Sequence, residues 1–308
     1  MAETGGHSHS HAGPSDGSHS WRLIAVLAIT TAVLIAEVIG ATIAKSLALF
    51  ADAGHMLTDV AGLSLALVAA RLAARPATAQ RTWGYRRAEV LAAATQAAVL
   101  LAVGGFVLIE GVRRFIAPPE VGSAAMVVFG LIGLAGNAVA ISLLASARDA
   151  NLNMRAAFLE VVNDAIGSAA VLVAAVIIAL TGWQRADAVA SLLIGGLILP
   201  RTWKLLRETV DVLLEATPRG LDLDQVRDHM LAVEHVHAVH DLHASQVATN
   251  LPVLTAHVVV DDSCFHDAHL PELLDKLQAC LADHFDVEHS TFQFEQVGHA
   301  DHEHTTHA

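Results

Sequence analysis

The chain has few charged and few aromatic residues for its length of 308 residues. Charged residues make up 16% and aromatic residues 5%, whereas hydrophobic residues reach 54% and the mean hydropathy is +0.51. A soluble domain usually carries about 25% charged residues. This scarcity of charge therefore excludes an ordinary soluble protein and favours a membrane protein.

Cysteine and basic residues are also scarce. Only Cys264 and Cys280 are present, which excludes a disulfide framework and is consistent with a reducing compartment around them. The chain has 18 basic residues against 31 acidic residues, and 17 of the acidic residues lie from Glu215 onward. Such a surface repels nucleic acid and anionic lipid headgroups, so we expect no nucleic-acid partner.

Common catalytic motifs are missing as well. The sequence contains no nucleotide-binding loop, no GxSxG and no HExxH. We therefore expect a protein that is not an enzyme.

Near-continuous apolar runs of about 20 residues fit transmembrane helices. Six such runs lie near 21–44, 47–72, 88–112, 122–146, 156–181 and 187–211. The fifth and sixth are separated only by TGWQR, which predicts a tight hairpin. The first 20 residues have no basic region before the first run, so we expect no cleaved signal peptide.

Basic residues predict the orientation of the six spans, because cytoplasmic loops carry an excess of lysine and arginine. An N-terminus inside places eleven basic residues on cytoplasmic flanks and four outside, namely Lys45, Arg113, Arg114 and Arg185. The prediction is that both termini face the cytoplasm.

The hydrophobic period changes after Pro218. Two helical patterns and three strand patterns follow in the order αββαβ, which predicts a small ferredoxin-like α+β domain. In the last strand Phe292 and Phe294 alternate with polar residues, so one face is expected to be core and the other polar. We expect His257 to share the polar side with Glu295.

Two apolar spans each carry a pair of ionisable residues four positions apart. His55 and Asp59 lie in the second span, and Glu160 and Asp164 lie in the fifth. Each pair lies on one face of its helix, and ionisable groups inside a membrane rarely persist without a function or a partner. If the faces meet, one imidazole and three carboxylates form a four-ligand cage for a divalent cation. The alternative is that these groups only join helices by hydrogen bonds.

Four segments carry a resemblance to a known family. They are HMLTD, FLEVVNDAIGS, RTWGYRRAEVLAA and LPRTWKLLRETVDVLLEATP. Together they resemble the cation diffusion facilitator family, especially its bacterial zinc, cobalt and cadmium efflux branch. The resemblance implies a homodimer in a bacterial inner (plasma) membrane. It also implies export of divalent cations in exchange for protons, with a cytoplasmic metal-sensing domain.

The resemblance assigns the transport site to His55, Asp59, Glu160 and Asp164. Many relatives have histidine at the position of Glu160, so this cage is harder and more anionic. Zn²⁺ remains the first expectation for the transported ion, with Cd²⁺, Co²⁺ and Mn²⁺ as alternatives and H⁺ as the counter-ion. Asp52 lies on the same helical face as His55 and is expected either to support the site or to cap a helix end.

The resemblance also implies a regulatory metal site in the tail domain. Its ligands are expected to be His240, His257, His269 and Glu295, while Gln293 replaces a histidine of some relatives. Spare histidines nearby can substitute for a missing ligand, and a His-rich surface without a defined site is the alternative.

Arg87 and Glu215 fall where some relatives place an interlocking charge pair near the membrane surface. The expected organisation is a His-rich disordered tail (1–20), a transmembrane domain (21–213), a metal-sensing domain (214–297) and a second His-rich tail (298–308). A membrane-bound metal sensor or scaffold that transports nothing is the alternative from another functional class.

Overall fold

The computed structural model describes residues 17–146, 152–248, 251–266, 268–287 and 289–299. Most histidines of the predicted tails lie outside the described residues, namely His7, His9, His11, His302, His304 and His307. The long helices are α1 (Gly17–Ala44), α2 (Leu47–Ala73), α3 (Ala88–Ile116), α4 (Ser123–Ala145), α5 (Leu152–Thr181) and α6 (Arg185–Leu213).

All six helices are long and apolar enough to cross a membrane. Large apolar side chains such as Ile24, Leu57, Ile109 and Leu180 are exposed. Apolar residues around the whole circumference are typical of helices that face lipid, where helices satisfy their own backbone hydrogen bonds. The prediction of six spans is confirmed.

The chain forms two compact units, and helices α2, α3 and α6 contribute to both. The first unit contains the chain up to Ala61 together with Val99–Thr202. Within it, α4 packs against α1 and against α5. Its main core includes Leu49, Met126 and Val171, all fully buried.

The connection between α5 and α6 is the tight hairpin that the sequence predicts. Its three residues lie between Thr181 and Arg185, and Gly182 has a positive φ of 69°. The Gly182 N–H donates to the Ile178 carbonyl at 2.8 Å, which ends α5. Glycine adopts this left-handed conformation without the steric penalty of a β-carbon.

The start of α2 is fixed by the buried carboxylate of Asp187 on α6. The carboxylate accepts hydrogen bonds from the Ser46 hydroxyl at 2.5 Å and from the Leu47 and Ala48 N–H groups at 2.8 and 3.2 Å. It therefore satisfies N–H groups that lack partners at a helix N-terminus. This contact positions the helix that carries His55 two turns further on.

The second unit contains Gly62–Ala98 and the chain from Trp203 onward. Its α/β part consists of α7 (Leu223–Leu231), β1 (Val236–Ala248), β2 (Leu251–Val260), a short 3-10 helix (Asp262–Phe265), α8 (Leu270–Phe285) and β3 (His289–Gln296). The sheet order is β1-β2-β3, with β1 antiparallel and β3 parallel to β2. The αββαβ order predicted from the sequence is confirmed.

The core of this α/β domain joins one face of α8 to one face of β2. Leu273, Leu277 and Leu281 recur every four residues along α8, and all are buried. They share a core cluster with Leu254 and Val258 of β2, which point to the same side because strand side chains alternate. The two cysteines, both among the described residues, are not joined in a disulfide, and Cys264 is buried in this cluster.

Candidate metal centres

The two predicted pairs of ionisable residues meet in the first unit. His55 Nε2 lies 3.4 Å from Asp59 Oδ2, 3.7 Å from Glu160 Oε1 and 3.9 Å from Asp164 Oδ1. Ligand atoms of His55, Asp59 and Glu160 all lie within 4.8 Å of one another. One imidazole of α2 therefore faces carboxylates from α2 and α5, and we call these four residues the cage.

Several buried polar atoms of the cage have no hydrogen-bond partner among the described residues. They are His55 Nδ1, Asp59 Oδ2 and Asp164 Oδ1. Buried polar atoms are nearly always paired, so such atoms call for an explanation. A divalent cation fits here, because carboxylate oxygen and imidazole nitrogen are its usual ligands and the three carboxylates have an excess of negative charge.

A second polar group lies one helical turn before His55. Asp52 is 1% exposed, and its Oδ2 accepts a hydrogen bond from the Ser168 hydroxyl of α5 at 3.1 Å. The Asn137 side-chain amide of α4 donates to the same hydroxyl oxygen at 3.2 Å. The carboxylate of Asp52 thus contacts the neighbouring helix rather than capping a helix end.

Gly167 allows this close contact between α2 and α5. A β-carbon at Gly167 would lie 2.3 Å from Asp52 Oδ1, far inside van der Waals contact. Small residues at helix interfaces let two helices approach closely in membranes. Gly167 lies three residues after Asp164, so the close approach lies beside the cage.

Arg201 of α6 makes a contact that sequence reasoning missed. Its Nη2 atom donates to Glu160 Oε2 at 3.3 Å. In the sequence Arg201 is one of several basic residues that flank a span, and nothing in its spacing indicates a partner on α5. Only tertiary structure brings the two residues together.

The α/β domain holds a second group of candidate ligands. His240 Nε2 lies 2.9 Å from Glu295 Oε2, and His257 Nδ1 lies 2.7 Å from Glu295 Oε1. Ligand atoms of these three residues lie within 4.8 Å of one another. His257 pairs with Gln293 across β2 and β3, which places His257 and Glu295 on one face of the sheet.

Glu295 is the buried member of this group, with a side chain that is 1% exposed. Burial acts to raise the pKa of Glu295, but the Gln293 amide, the His240 ring and the His257 ring lower it further than burial raises it. Gln293 donates to Glu295 Oε1 at 2.8 Å. The pKa of this carboxyl therefore lies below its ordinary value, so it is ionised and able to bind a cation at neutral pH.

A β-bulge brings Asp241 to the same group. The register of β1 against β2 shifts between His240 and His243, and Asp241 has a positive φ of 49°. Asp241 Oδ2 lies 3.5 Å from His257 Nε2, on the ring nitrogen that does not face Glu295. A carboxylate on the second ring nitrogen is a common way to orient a metal-binding histidine.

His269 lies outside this group in the described part of one chain. It precedes α8, and its ring stacks on that of His235 with centroids 6.0 Å apart. His235 and His237 contact the carboxylate of Asp261 at 2.8 and 2.6 Å. A hydrogen bond from His237, which has the larger effect, and a hydrogen bond from His235 lower the pKa of Asp261.

The predicted charge pair forms within the second unit. Arg87 Nη2 donates to Glu215 Oε1 at 2.7 Å, and both side chains are largely exposed, at 42% and 59%. Trp83 lies four residues before Arg87, and its ring contacts that of His289 edge to face, with centroids 4.9 Å apart. The segment before α3 therefore contacts the residues that follow α6 and the first residue of β3.

Six apolar helices, a half-buried group of one histidine and three carboxylates, and an α/β domain define a multi-pass membrane protein with candidate metal centres. Comparison with known families gives the same architecture. The family profile described as the cation efflux transmembrane domain matches residues 23–214, and that of the cation efflux protein cytoplasmic domain matches residues 218–297. The chain belongs to the cation efflux family.

Curated relatives match along most of the chain. The metal cation efflux system protein CzcD of Cupriavidus metallidurans is 43% identical over 290 residues, covering 94% of this chain and 90% of the relative. The zinc transporter ZitB of Escherichia coli is 39% identical over 294 residues, covering 94% and 92%. The cadmium, cobalt and zinc/H(+)-K(+) antiporter of Bacillus velezensis is 34% identical over 296 residues, covering 96% and 93%.

Among solved structures, the metal-bound C-terminal domain of the CzcD transporter from Cupriavidus metallidurans also matches. The identity is 37%, the match covers 24% of this chain and 99% of that chain, and the TM-score is 0.22.

Proposed function

We propose that this protein exports divalent metal cations, with Zn²⁺ as the first candidate, from the cytoplasm in exchange for protons. The observation that carries the proposal is the cage, in which His55 and three carboxylates face one another and leave buried oxygen atoms without hydrogen bonds. The names of the relatives, which include zinc transporters and an antiporter, support the same activity. Cd²⁺, Co²⁺ and Mn²⁺ are the alternative substrates.

The exchange of metal for protons follows from the chemistry of the cage. Carboxylate and imidazole must be deprotonated to bind a metal ion, so protons and metal compete for the same atoms. Protons that arrive from an acidic outer side release the ion there, and their loss on the inner side restores the site.

The charge balance constrains the coupling. Exchanging one divalent cation outward for one proton inward moves one net positive charge out of the cell. That movement costs about 2.3 kcal/mol per 100 mV of inside-negative potential. The metal gradient, the proton gradient or a second proton must supply this free energy.

The remaining parts of the proposal concern assembly and location. We propose a homodimer in a bacterial inner membrane, supported by the match to the cytoplasmic domain of cation efflux proteins. Both termini are proposed to lie in the cytoplasm, supported by the distribution of basic residues along the chain. The segment 1–20 and the segment 298–308 are proposed to be His-rich tails that collect metal weakly.

The Arg87–Glu215 ion pair is proposed to hold the segment before α3 near the cytoplasmic domain.

The cytoplasmic domain is proposed to bind a regulatory metal ion. The ligands are His240, His257 and Glu295, and Asp241 orients the His257 ring. The ring stacking of His269 on His235 gives no support to His269 as a ligand within one chain. His269 therefore stays a proposed further ligand that one chain alone does not bring to this group.

Transport in proteoliposomes tests the main proposal. Purified protein is reconstituted into vesicles that hold a Zn²⁺-sensitive dye, with an acidic lumen to imitate the outer side. Zn²⁺ uptake should rise with the pH gradient, and the Asp59→Asn and Asp164→Asn variants should abolish it. The Glu120→Gln variant, which removes an exposed acidic residue between α3 and α4, serves as the matched control.

Two results would reject the antiport site. One is Zn²⁺ uptake that does not depend on the pH gradient, and the other is uptake that neither cage substitution changes. The sensor or scaffold alternative makes a different prediction, because the full chain would then bind Zn²⁺ but move none into vesicles.

A further inference from the structure

The two carboxylate oxygens of Glu160 have different partners. Oε1 faces the cage at 3.7 Å from His55 Nε2, whereas Oε2 lies 3.3 Å from Arg201 Nη2. One carboxylate is therefore shared between the cage and a guanidinium on another helix. This arrangement leaves a single oxygen of Glu160 directed at an ion in the cage.

The guanidinium of Arg201 is a permanent cation next to a site that gathers three acidic side chains. The guanidinium keeps its positive charge at physiological pH, so it attracts the Glu160 carboxylate whenever that carboxylate is ionised. Among the described residues, Arg201 is the one arginine or lysine that forms an ion pair with a carboxylate of the cage. Its position on α6 makes a third helix part of the surroundings of the cage.

We infer that Arg201 is a positioning residue that holds Glu160 as a one-oxygen ligand and thereby favours Zn²⁺ over Mn²⁺. With one nitrogen from His55 and one oxygen from each carboxylate, the cage offers four ligand atoms, which suits the tetrahedral preference of zinc. Mn²⁺ is typical of octahedral oxygen sites, and ions of high coordination number often take both oxygens of a carboxylate. Holding Oε2 away from the ion removes one of those oxygens. This inference rests on the proposed transport function.

Because the Arg201 side chain is exposed, its effect on ion selectivity can be measured apart from an effect on the folding of the protein. Arg201 is 69% exposed, so its side chain makes few packing contacts with the rest of the protein. Substitution of Arg201 should therefore leave the protein folded. A change in ion preference would then report on the position of the Glu160 carboxylate.

Equilibrium binding of Zn²⁺ and Mn²⁺ to the full chain in detergent tests the inference. To make the cage the reporting site, all variants carry Glu295→Gln in the cytoplasmic group. The Arg201→Gln variant should reduce the ratio of Zn²⁺ to Mn²⁺ affinity about tenfold, which is typical for loss of a contact that orients a ligand. The Arg201→Lys variant keeps the positive charge without the planar guanidinium. Its ratio of Zn²⁺ to Mn²⁺ affinity should lie between those of the wild type and Arg201→Gln.

The matched control is Lys204→Gln. Lys204 is an exposed cation on the same helix, three residues further along, and it makes no ion pair within the described residues. Its substitution removes the same charge and should leave the affinity ratio at the wild-type value. An equal change in both variants would mean that general charge near the site, rather than the contact with Glu160, sets the ratio.

A double-variant cycle links the effect to Glu160. In the Glu160→His background the carboxylate that Arg201 holds is gone, so Arg201→Gln should no longer change the ratio. If Arg201→Gln changes the ratio equally in both backgrounds, or in neither, the inference is overturned.

Vesicle transport of the same two ions separates this inference from the proposed function. Uptake of Zn²⁺ with an affinity ratio unaffected by Arg201→Gln would overturn the inference and leave the exporter in place. A shifted affinity ratio in a protein that moves neither ion would reject the exporter, while the inference would stand for binding.

Discussion

The Gly167→Ala variant tests whether the close contact between α2 and α5 holds the cage together. The new β-carbon would lie 2.3 Å from Asp52 Oδ1, more than 1 Å inside an ordinary contact of 3.4 Å. Either the Asp52 carboxylate turns away and loses its hydrogen bond from Ser168, or the two helices separate. Each response disturbs the 3.9 Å approach between His55 and Asp164.

The expected change in the free energy of unfolding follows from a comparison of Gly167→Ala with Gly105→Ala. A β-carbon at Gly105 meets nothing within 4 Å, so that variant reports only the helix preference of alanine, up to about 1 kcal/mol of stabilisation. The Gly167→Ala variant has the same gain but adds an overpacking penalty of about 1–3 kcal/mol. The difference between the two unfolding free energies should therefore be about 1–3 kcal/mol, the overpacking term alone.

Urea titration in detergent measures this difference, and Zn²⁺ titration measures the effect on the cage, where weaker binding is expected for Gly167→Ala alone. In an Asp52→Ala background the clashing carboxylate is absent, so the penalty of Gly167→Ala should disappear. Equal stability and equal Zn²⁺ affinity for the Gly167→Ala and Gly105→Ala variants would refute the reasoning.

Three further variants probe the second unit. Arg87→Ala should change the unfolding free energy by less than about 1 kcal/mol in urea titration, because its ion pair is exposed; a larger loss would mean that the pair stabilises more than a surface contact. Glu295→Gln, in an Asp59→Asn background that disables the cage, should weaken Zn²⁺ binding at least about tenfold by calorimetry; unchanged binding would contradict the cytoplasmic site. Leu277→Ala should destabilise the fully buried core by about 2–5 kcal/mol. Labelling of the buried Cys264 thiol should then accelerate, and a wild-type rate would contradict this expectation.

The six helices and the common face of each pair of ionisable residues could be predicted because the signals are local. Apolar runs long enough to cross a lipid bilayer leave little alternative to a helix. The spacing of His55 and Asp59 fixes their common face within one helix, and the same holds for Glu160 and Asp164. The αββαβ order of the cytoplasmic domain also follows from local periodicity and turn residues.

Contacts that depend on tertiary structure could not be predicted in the same way. The pairing of Arg201 with Glu160 joins residues 41 positions apart on different helices. Asp241 follows His240 directly, and in a regular strand the two side chains would point to opposite faces. The bulge in β1 removes that alternation, so no two-residue period in the sequence could place Asp241 beside His257.

The Asp187 carboxylate holds the first turn of α2, so this turn is the pivot about which the helix would tilt. Asp59 lies twelve residues beyond Leu47, so the lever between the pivot and the cage is about 18 Å long. A tilt of about 10° around the fixed end moves Asp59 by about 3 Å on that lever. Such a swing is comparable with the distances that now separate His55 from Glu160 and Asp164 of α5. A small rocking of one anchored helix is therefore enough to take the ligands of α2 and α5 apart and bring them together again.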